Sequence, residues 1–263
     1  MQWGGATTIV TGASRGIGRA VAEAAAARGA RLGLIARSED DLQAVVAGLG
    51  EPARYAVADV GDPAALAGAI ARLEAELGPT DVLVANAGLG AYGAFADLTE
   101  EEAERLVRVN VLGTVHALRA VVPGMIERRR GHLVTMGSIA GRVGSPFEAI
   151  YSATKFAGVG LTEAMAVELA PYGIGVSLVN PGPVATNFGT ARGHPYDREH
   201  PRPVPAADVA HAVIRAVEGD RAEQYVPAVL RPAVVVRHLV PPLFRWGTRR
   251  SFTRELALDR GRR

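Results

Sequence analysis

A β-branched run, Thr7 to Val10, passes directly into TGASRGIG and then into the helical stretch AVAEAAAARG. Strand, glycine-rich turn and helix in that order open a parallel βαβ unit, which commits the chain to an α/β architecture. Gly12, Gly16 and Gly18 allow a tight turn, close approach to a pyrophosphate, and packing of the helix on the strand. The helix N-terminus then offers free N–H groups and positive dipole to phosphate oxygens. Glycine clusters are mostly plain turns, so the context on both sides carries this reading.

The pattern repeats. Further strands are expected at Arg31 to Ala36, Arg54 to Ala58, Asp81 to Ala85, Gly131 to Gly137, Gly175 to Val179 and Gln224 to Val226. Between them lie helices opened by Ser38, Asp62 and Thr99 as N-caps, one from Ala149 to about Ala170, and one at Asp208 to Glu218. The expected fold is α/β, a Rossmann-like doubly wound parallel sheet of about seven strands with helices on both faces. A single domain should span residues 1–227, with a basic extension over residues 228–263. That extension carries nine arginines against Glu255 and Asp259, a surplus of +7, and the body balances it at −5 for a total of +2.

Composition closes off several chemistries. The chain has no cysteine, which excludes disulfides, thiolate catalysis and cysteine-bound metal, and no metal site is expected. No apolar run reaches the roughly 18 residues of a membrane span, and the N-terminus enters a strand with no signal-like segment. A cytoplasmic protein that binds no nucleic acid is the expectation.

Ser138 to Lys155, SIAGRVGSPFEAIYSATK, brings a hydroxyl, a phenol and an amine together. Tyr151 and Lys155 are four apart, hence on one face of a helix. An ammonium beside a phenol favours phenolate and lowers a pKa that is ordinarily about 10. Such a tyrosine can pass a proton at neutral pH, as alcohol–carbonyl interconversion requires. Lys155 is also the only lysine among 29 basic residues, which hints at a task that guanidinium cannot do. The plain alternative is a pair of helix-surface residues. Ser138 ends a strand on the carboxyl edge of the sheet, where ligands of open parallel sheets bind, and its hydroxyl can bond a substrate oxygen beside Tyr151.

Other positions read as a dinucleotide groove. Arg37 stands where an acidic residue would bond a ribose 2′-hydroxyl and where arginine suits a 2′-phosphate; Arg15 lies in the glycine loop. NADP(H) is therefore expected over NAD(H), with Arg37 as a solvated loop charge the alternative. Asp59 can reach an adenine amine, and Asn86 and Gly88 line the groove, with Asn86 a brace. Pro181, Gly182 and the Val184 backbone wall a nicotinamide, and the Thr186 hydroxyl bonds its carboxamide. Asn110, set among apolar residues, is either a satisfied core amide or the anchor of a proton-relaying water. Residues Asn187 to Pro205 lack a period and are expected to form a substrate lid. The basic extension, broken at Pro241-Pro242, can cover the pocket, contact another subunit, or lie on a membrane surface.

Taken together, TGASRGIG, Asp59, NAG, Asn110, Ser138, YSATK and PGPVAT resemble the short-chain dehydrogenase/reductase family over roughly Thr7 to Val226. The resemblance implies a catalytic tetrad of Asn110, Ser138, Tyr151 and Lys155, with Tyr151 as acid/base and Lys155 lowering its pKa and bonding the nicotinamide ribose. It extends the cofactor set to Gly12, Ser14, Arg15, Gly16, Ile17, Gly18, Arg37, Ser38, Asp59, Val60, Asn86, Ala87, Gly88, Tyr151, Lys155, Pro181, Gly182, Val184 and Thr186. It further implies hydride exchange with a small, apolar carbonyl or alcohol substrate and a homodimer or homotetramer. A weakly catalytic cofactor-binding scaffold, or an epimerase or dehydratase, would use the same fold. Two features depart from the family pattern: Ala85-Asn86 replaces paired asparagines, and the C-terminus lacks the glycine-rich ending of acyl-carrier-protein-linked ketoacyl reductases.

Overall fold

The computed structural model describes residues 1–50, 52–194, 196 and 201–262. Runs rich in valine, isoleucine, leucine and threonine form strands β1 (Thr7–Thr11), β2 (Arg31–Ala36), β3 (Ala53–Val57), β4 (Val82–Ala85), β5 (Gly131–Met136), β6 (Ile174–Pro181) and β7 (Glu223–Val226). They make one sheet in the order β3-β2-β1-β4-β5-β6-β7, every neighbouring pair parallel. Parallel strands covered by helices on both faces must be apolar on both. Accordingly Val10, Leu34, Val82 and Val84 enter one core cluster and Ile9, Ile35 and Leu83 the other.

The first cluster is closed by α1 (Gly16–Ala26), α2 (Glu39–Leu49) and α8 (Ala206–Glu218). The second is closed by α3 (Pro63–Leu77), α5 (Gly113–Arg128) and the end of α6 (Ala149–Leu169). Caps fix where helices begin. The Asp62 carboxylate accepts from the Ala64 and Ala65 amides, both at 3.0 Å, and α4 (Glu100–Val107) opens with a reciprocal Thr99–Glu102 capping box.

Three expectations are corrected. The third strand runs one residue earlier at each end than read from sequence, its pairing with β2 running from Ala53 opposite Leu32 to Val57 opposite Ala36. The long helix opened by Thr99 is interrupted by a π turn, Arg108–Leu112, before α5 begins. Its full span, Glu100–Arg128, is long and apolar enough to cross a membrane by composition alone, yet Ala117, Leu118, Val121 and Met125 are buried against the sheet. The segment expected to be aperiodic contains a short helix, α7 (Phe188–Ala191), and its ends are joined by a parallel bridge between Val184 and Val204. Pro195 and residues 197–200 of that segment lie outside the described residues.

After β7 the chain forms α9 (Arg231–Leu239), α10 (Pro241–Ser251) and α11 (Thr253–Arg262). The break between α9 and α10 falls at Pro241-Pro242, as the sequence reading had it. The strand order reverses between β1 and β4, so a crevice opens there above the carboxyl ends of the strands.

Candidate active site

The crevice is a cavity of about 1160 Å³. Every residue singled out in the sequence lines it except Gly18 and Asn110. At its floor the turns after β1 and β4 touch. A Cβ at Gly12, whose φ is +66°, would sit 2.9 Å from Ala87 Cα, and one at Gly18 would collide with the Gly12 carbonyl. Gly18 therefore packs the helix rather than walling the groove. Asn86 ties the floor together: its Nδ2 donates to Thr11 O at 3.0 Å and Gly12 O at 3.2 Å, while Asn86 N and Ala87 N both donate to Thr11 Oγ1 at 3.1 Å. This is the bracing role expected of it. Arg15, the N-cap of α1, supplies no side-chain cap, so the first-turn amides face the groove ready for an anion.

Both arginines read as phosphate ligands are already paired. Arg15 Nη2 lies 2.6 Å from Asp41 Oδ2 and Arg37 Nη1 3.9 Å from Asp59 Oδ2. Asp59 Oδ1 accepts from Gly61 N at 2.8 Å. Ser38 occupies the N-cap of α2 without making a side-chain cap; its hydroxyl bonds Asp41 instead, and with Arg15 holds that carboxyl below the usual range. Thr186 Oγ1 accepts from Phe188 N at 3.3 Å, which anchors the start of α7.

The other end holds the proton chemistry. Ser138 leaves β5 in extended conformation, and its Oγ both accepts from Ala140 N at 3.1 Å and bonds the Tyr151 phenol. Tyr151 and Lys155 do share one face of α6, with the Lys155 Nζ 5.8 Å from the Tyr151 ring centre. Lys155 Nζ donates to Met136 O at 2.8 Å. The lowering expected from Lys155 is not what governs the phenol's pKa here. Burial dominates and pushes Tyr151 up to about 12, against the lowering effect of the Ser138 bond, and burial pushes Lys155 down to about 8.

Asn110 lies behind the wall, in the π turn. Its Nδ2 donates to Leu89 O at 2.9 Å and Thr154 Oγ1 at 3.0 Å, and its Oδ1 accepts from Leu89 N at 2.7 Å. Both amide protons are taken, as a satisfied core amide requires, while Oδ1 keeps a second lone pair. It pins the loop after β4 to α6, one residue from Lys155. A cluster invisible to sequence reading covers Tyr151. Glu148 and Arg192, each with an 11% exposed side chain, form an ion pair 44 positions apart. The Arg192 guanidinium stacks over Tyr92 at 5.1 Å, and Phe188 packs on Tyr151 at 5.8 Å.

The sequence profile of the family described as short chain dehydrogenase matches residues 6–197. The chain is a member of the short-chain dehydrogenase/reductase family. It is 36% identical over 191 residues to the 3-oxoacyl-[acyl-carrier-protein] reductase FabG of Escherichia coli, covering 73% of this chain and 78% of that protein. A short-chain dehydrogenase/reductase from Burkholderia phymatum, in complex with NAD, superposes with a TM-score of 0.85 at 27% identity, over 92% of this chain and 96% of its own. A short-chain dehydrogenase from Sphingobium yanoikuyae, in complex with NADPH, superposes at 0.79 and 29% identity, over 92% and 94%. The protein is thus an NAD(P)-dependent oxidoreductase acting on CH–OH groups. The glycine turn fits a dinucleotide: Gly12 and Gly18 let it close against the turn after β4 and on α1, and a Cβ at Gly16 would reach to 3.4 Å from Thr186 Cγ2, which lines the same cavity. Gly88, where an added Cβ would lie 3.6 Å from Lys155 Nζ, keeps the same space open beside the catalytic groups.

Proposed function

We propose that this short-chain dehydrogenase/reductase interconverts a ketone and a secondary alcohol, preferring NADP(H). The single observation that carries the reaction is the Ser138–Tyr151–Lys155 group on the wall of the same cavity as the glycine cradle. The bound nicotinamide cofactor supplies or accepts the hydride. In the reductive direction Tyr151 gives its proton to the carbonyl oxygen, so that one hydride and one proton convert C=O to CH–OH. Ser138 donates to the same oxygen and orients it. Lys155, cationic at neutral pH, stabilises the phenolate left behind. Asn110 is a positioning residue that fixes the Leu89 backbone and Thr154.

Arg37 and Arg15 support NADP(H), since a 2′-phosphate can take both guanidiniums from Asp59 and Asp41. Pro181, Gly182 and Val184 face the nicotinamide end, and Thr186 bonds its carboxamide. Residues 1–227 form the catalytic unit of a cytoplasmic homodimer or homotetramer.

The test is spectrophotometric. Purified protein is given NADPH and a panel of ketones and aldehydes beside a Tyr151→Phe variant. Loss of the phenolic proton should lower kcat by roughly 10²–10⁴. Equal turnover by both proteins would refute Tyr151 as the acid.

A further inference from the structure

The cavity does not end at Tyr151. It continues under α9 and α10, where Leu230, Val236, Leu243, Phe244, Trp246 and Phe252 line it. Its volume, about 1160 Å³, exceeds the roughly 300–1,000 Å³ of an ordinary ligand pocket. The glycine-lined groove occupies one end and the surplus lies at the other, where these apolar side chains are joined by the Thr248 and Ser251 hydroxyls of α10.

That wall is fixed to the catalytic body at three points. A Cβ at Gly182 would meet Leu230 Cδ1 at 2.6 Å, so the start of the extension rests on the proposed nicotinamide wall. Arg237 Nη1 donates to Arg142 O at 2.8 Å and its guanidinium lies 4.9 Å over the Phe156 ring, one position from Lys155. Arg142 is itself held by Glu163 at 2.9 Å and Glu223 at 2.7 Å. Phe252 stacks on Phe147 at 6.3 Å, and Phe147 on Tyr92 at 5.7 Å. At the mouth Leu243 and Trp246 are 53% and 61% exposed while lining the cavity, so its apolar lining reaches solvent.

We propose that α9 and α10 form the chain-binding wall of the substrate site, and that the substrate is an open-chain ketone or alcohol carrying an extended hydrocarbon tail. This rests on the ketone–alcohol reading above and adds the substrate class. The surface that α9 and α10 turn to the cavity carries no charged side chain and offers an alkyl chain burial along its length. Arg231, Arg237, Arg245, Arg249 and Arg250 of these two helices do not line the cavity, and Arg237 holds α9 to the catalytic body.

The experiment is a chain-length series of alkan-2-ones, from butanone to dodecan-2-one, reduced by the full-length protein with NADPH. Each methylene buried under the wall should raise kcat/KM by up to about fourfold, until the wall ends. Phe244→Ser and Val236→Asp, made separately on the terminal helices, should each lower the ratio of decan-2-one to butanone activity at least tenfold. The ratio is independent of how much of a preparation is folded, and either variant suffices. A flat profile with measurable butanone turnover overturns the chain-binding wall alone. An unchanged ratio in the variants assigns the preference elsewhere and overturns it too. No turnover of any ketone, short or long, overturns the ketone–alcohol reading beneath it.

Discussion

Replacing Arg37 with alanine separates the two cofactors. Arg37 is 68% exposed on its side chain, and its 3.9 Å approach to Asp59 is a surface ion pair, worth about 0–1 kcal/mol. Breaking that pair costs little, so Arg37→Ala should fold normally. A 2′-phosphate offers a charge-assisted bond worth about 1.5–3 kcal/mol. At about 1.4 kcal/mol per tenfold, NADPH affinity should fall roughly ten- to a hundredfold. NADH lacks that phosphate, and freeing Asp59 to accept from a ribose hydroxyl leaves its affinity unchanged or slightly improved. Fluorescence titration of both reduced cofactors against wild type and variant gives the four dissociation constants. Equal losses for both would refute the 2′-phosphate role and return Arg37 to the status of a solvated partner of Asp59. Because both arginines are paired beforehand, Asp41→Asn should shift NADPH affinity upward, opposite in sign to Arg37→Ala.

Three other outcomes can be checked. For ketone reduction, kcat/KM reports free-enzyme groups, and the reactive state needs Tyr151 protonated and Lys155 charged; with Tyr151 near 12 and Lys155 near 8, activity should hold through neutral pH and fall above about pH 8, whereas a limb rising with pH through that region would contradict it. Asn110→Ala leaves Leu89 N–H, Leu89 O and the Thr154 hydroxyl without their partner, and should cost about 1–3 kcal/mol in chemical denaturation; an unchanged midpoint would show that water replaces the amide freely. Glu148→Gln keeps the acceptor for Ser145 but leaves the Arg192 charge buried without its counter-ion, so tryptic cleavage after Arg192 should quicken by about tenfold or more, and equal rates would mean the pair does not hold the segment over Tyr151.

What was legible in the sequence is what depends on near neighbours. Strands ended within a residue or two of their reading because β-branched runs meet glycine or capping residues there. Asp62 and Thr99 declared their helices through side chains that reach two or three residues ahead. Tyr151 and Lys155 shared a face because the helix period puts them there. The π turn had no such signal, and the Asn110 side chain within it bonds a loop 21 positions away. The Glu148–Arg192 pair spans 44 positions and joins the stretch before α6 to the segment read as a substrate lid. The extension was read as basic and amphipathic, which is true of its composition. Val236, Phe244 and Phe252 line the cavity while Val235 and Leu239 stay exposed, and the contacts that seat the extension, Arg237 on Arg142 and Phe252 on Phe147, join distant positions that no local pattern encodes.

The clearest difference concerns the pair at the centre. Spacing alone brings an ammonium near a phenol, and Coulomb attraction between ammonium and phenolate then argues for a lowered phenol pKa. Spacing carries no information on burial. In the folded chain the phenol and the ammonium are both largely buried, and desolvation penalises whichever form is charged, raising one group and lowering the other. Tyr151 is thereby kept as a proton donor at neutral pH, and the cost of making it a phenolate is met only when a negative charge develops beside Lys155 and Ser138. In the proposed mechanism the two groups act in the transition state, where the proton has begun to leave, more than in the resting enzyme. Oxidation of an alcohol, which needs the phenolate at the outset, should therefore be the slower direction at pH 7 and gain on reduction as pH rises, a ratio measurable with one alcohol–ketone pair.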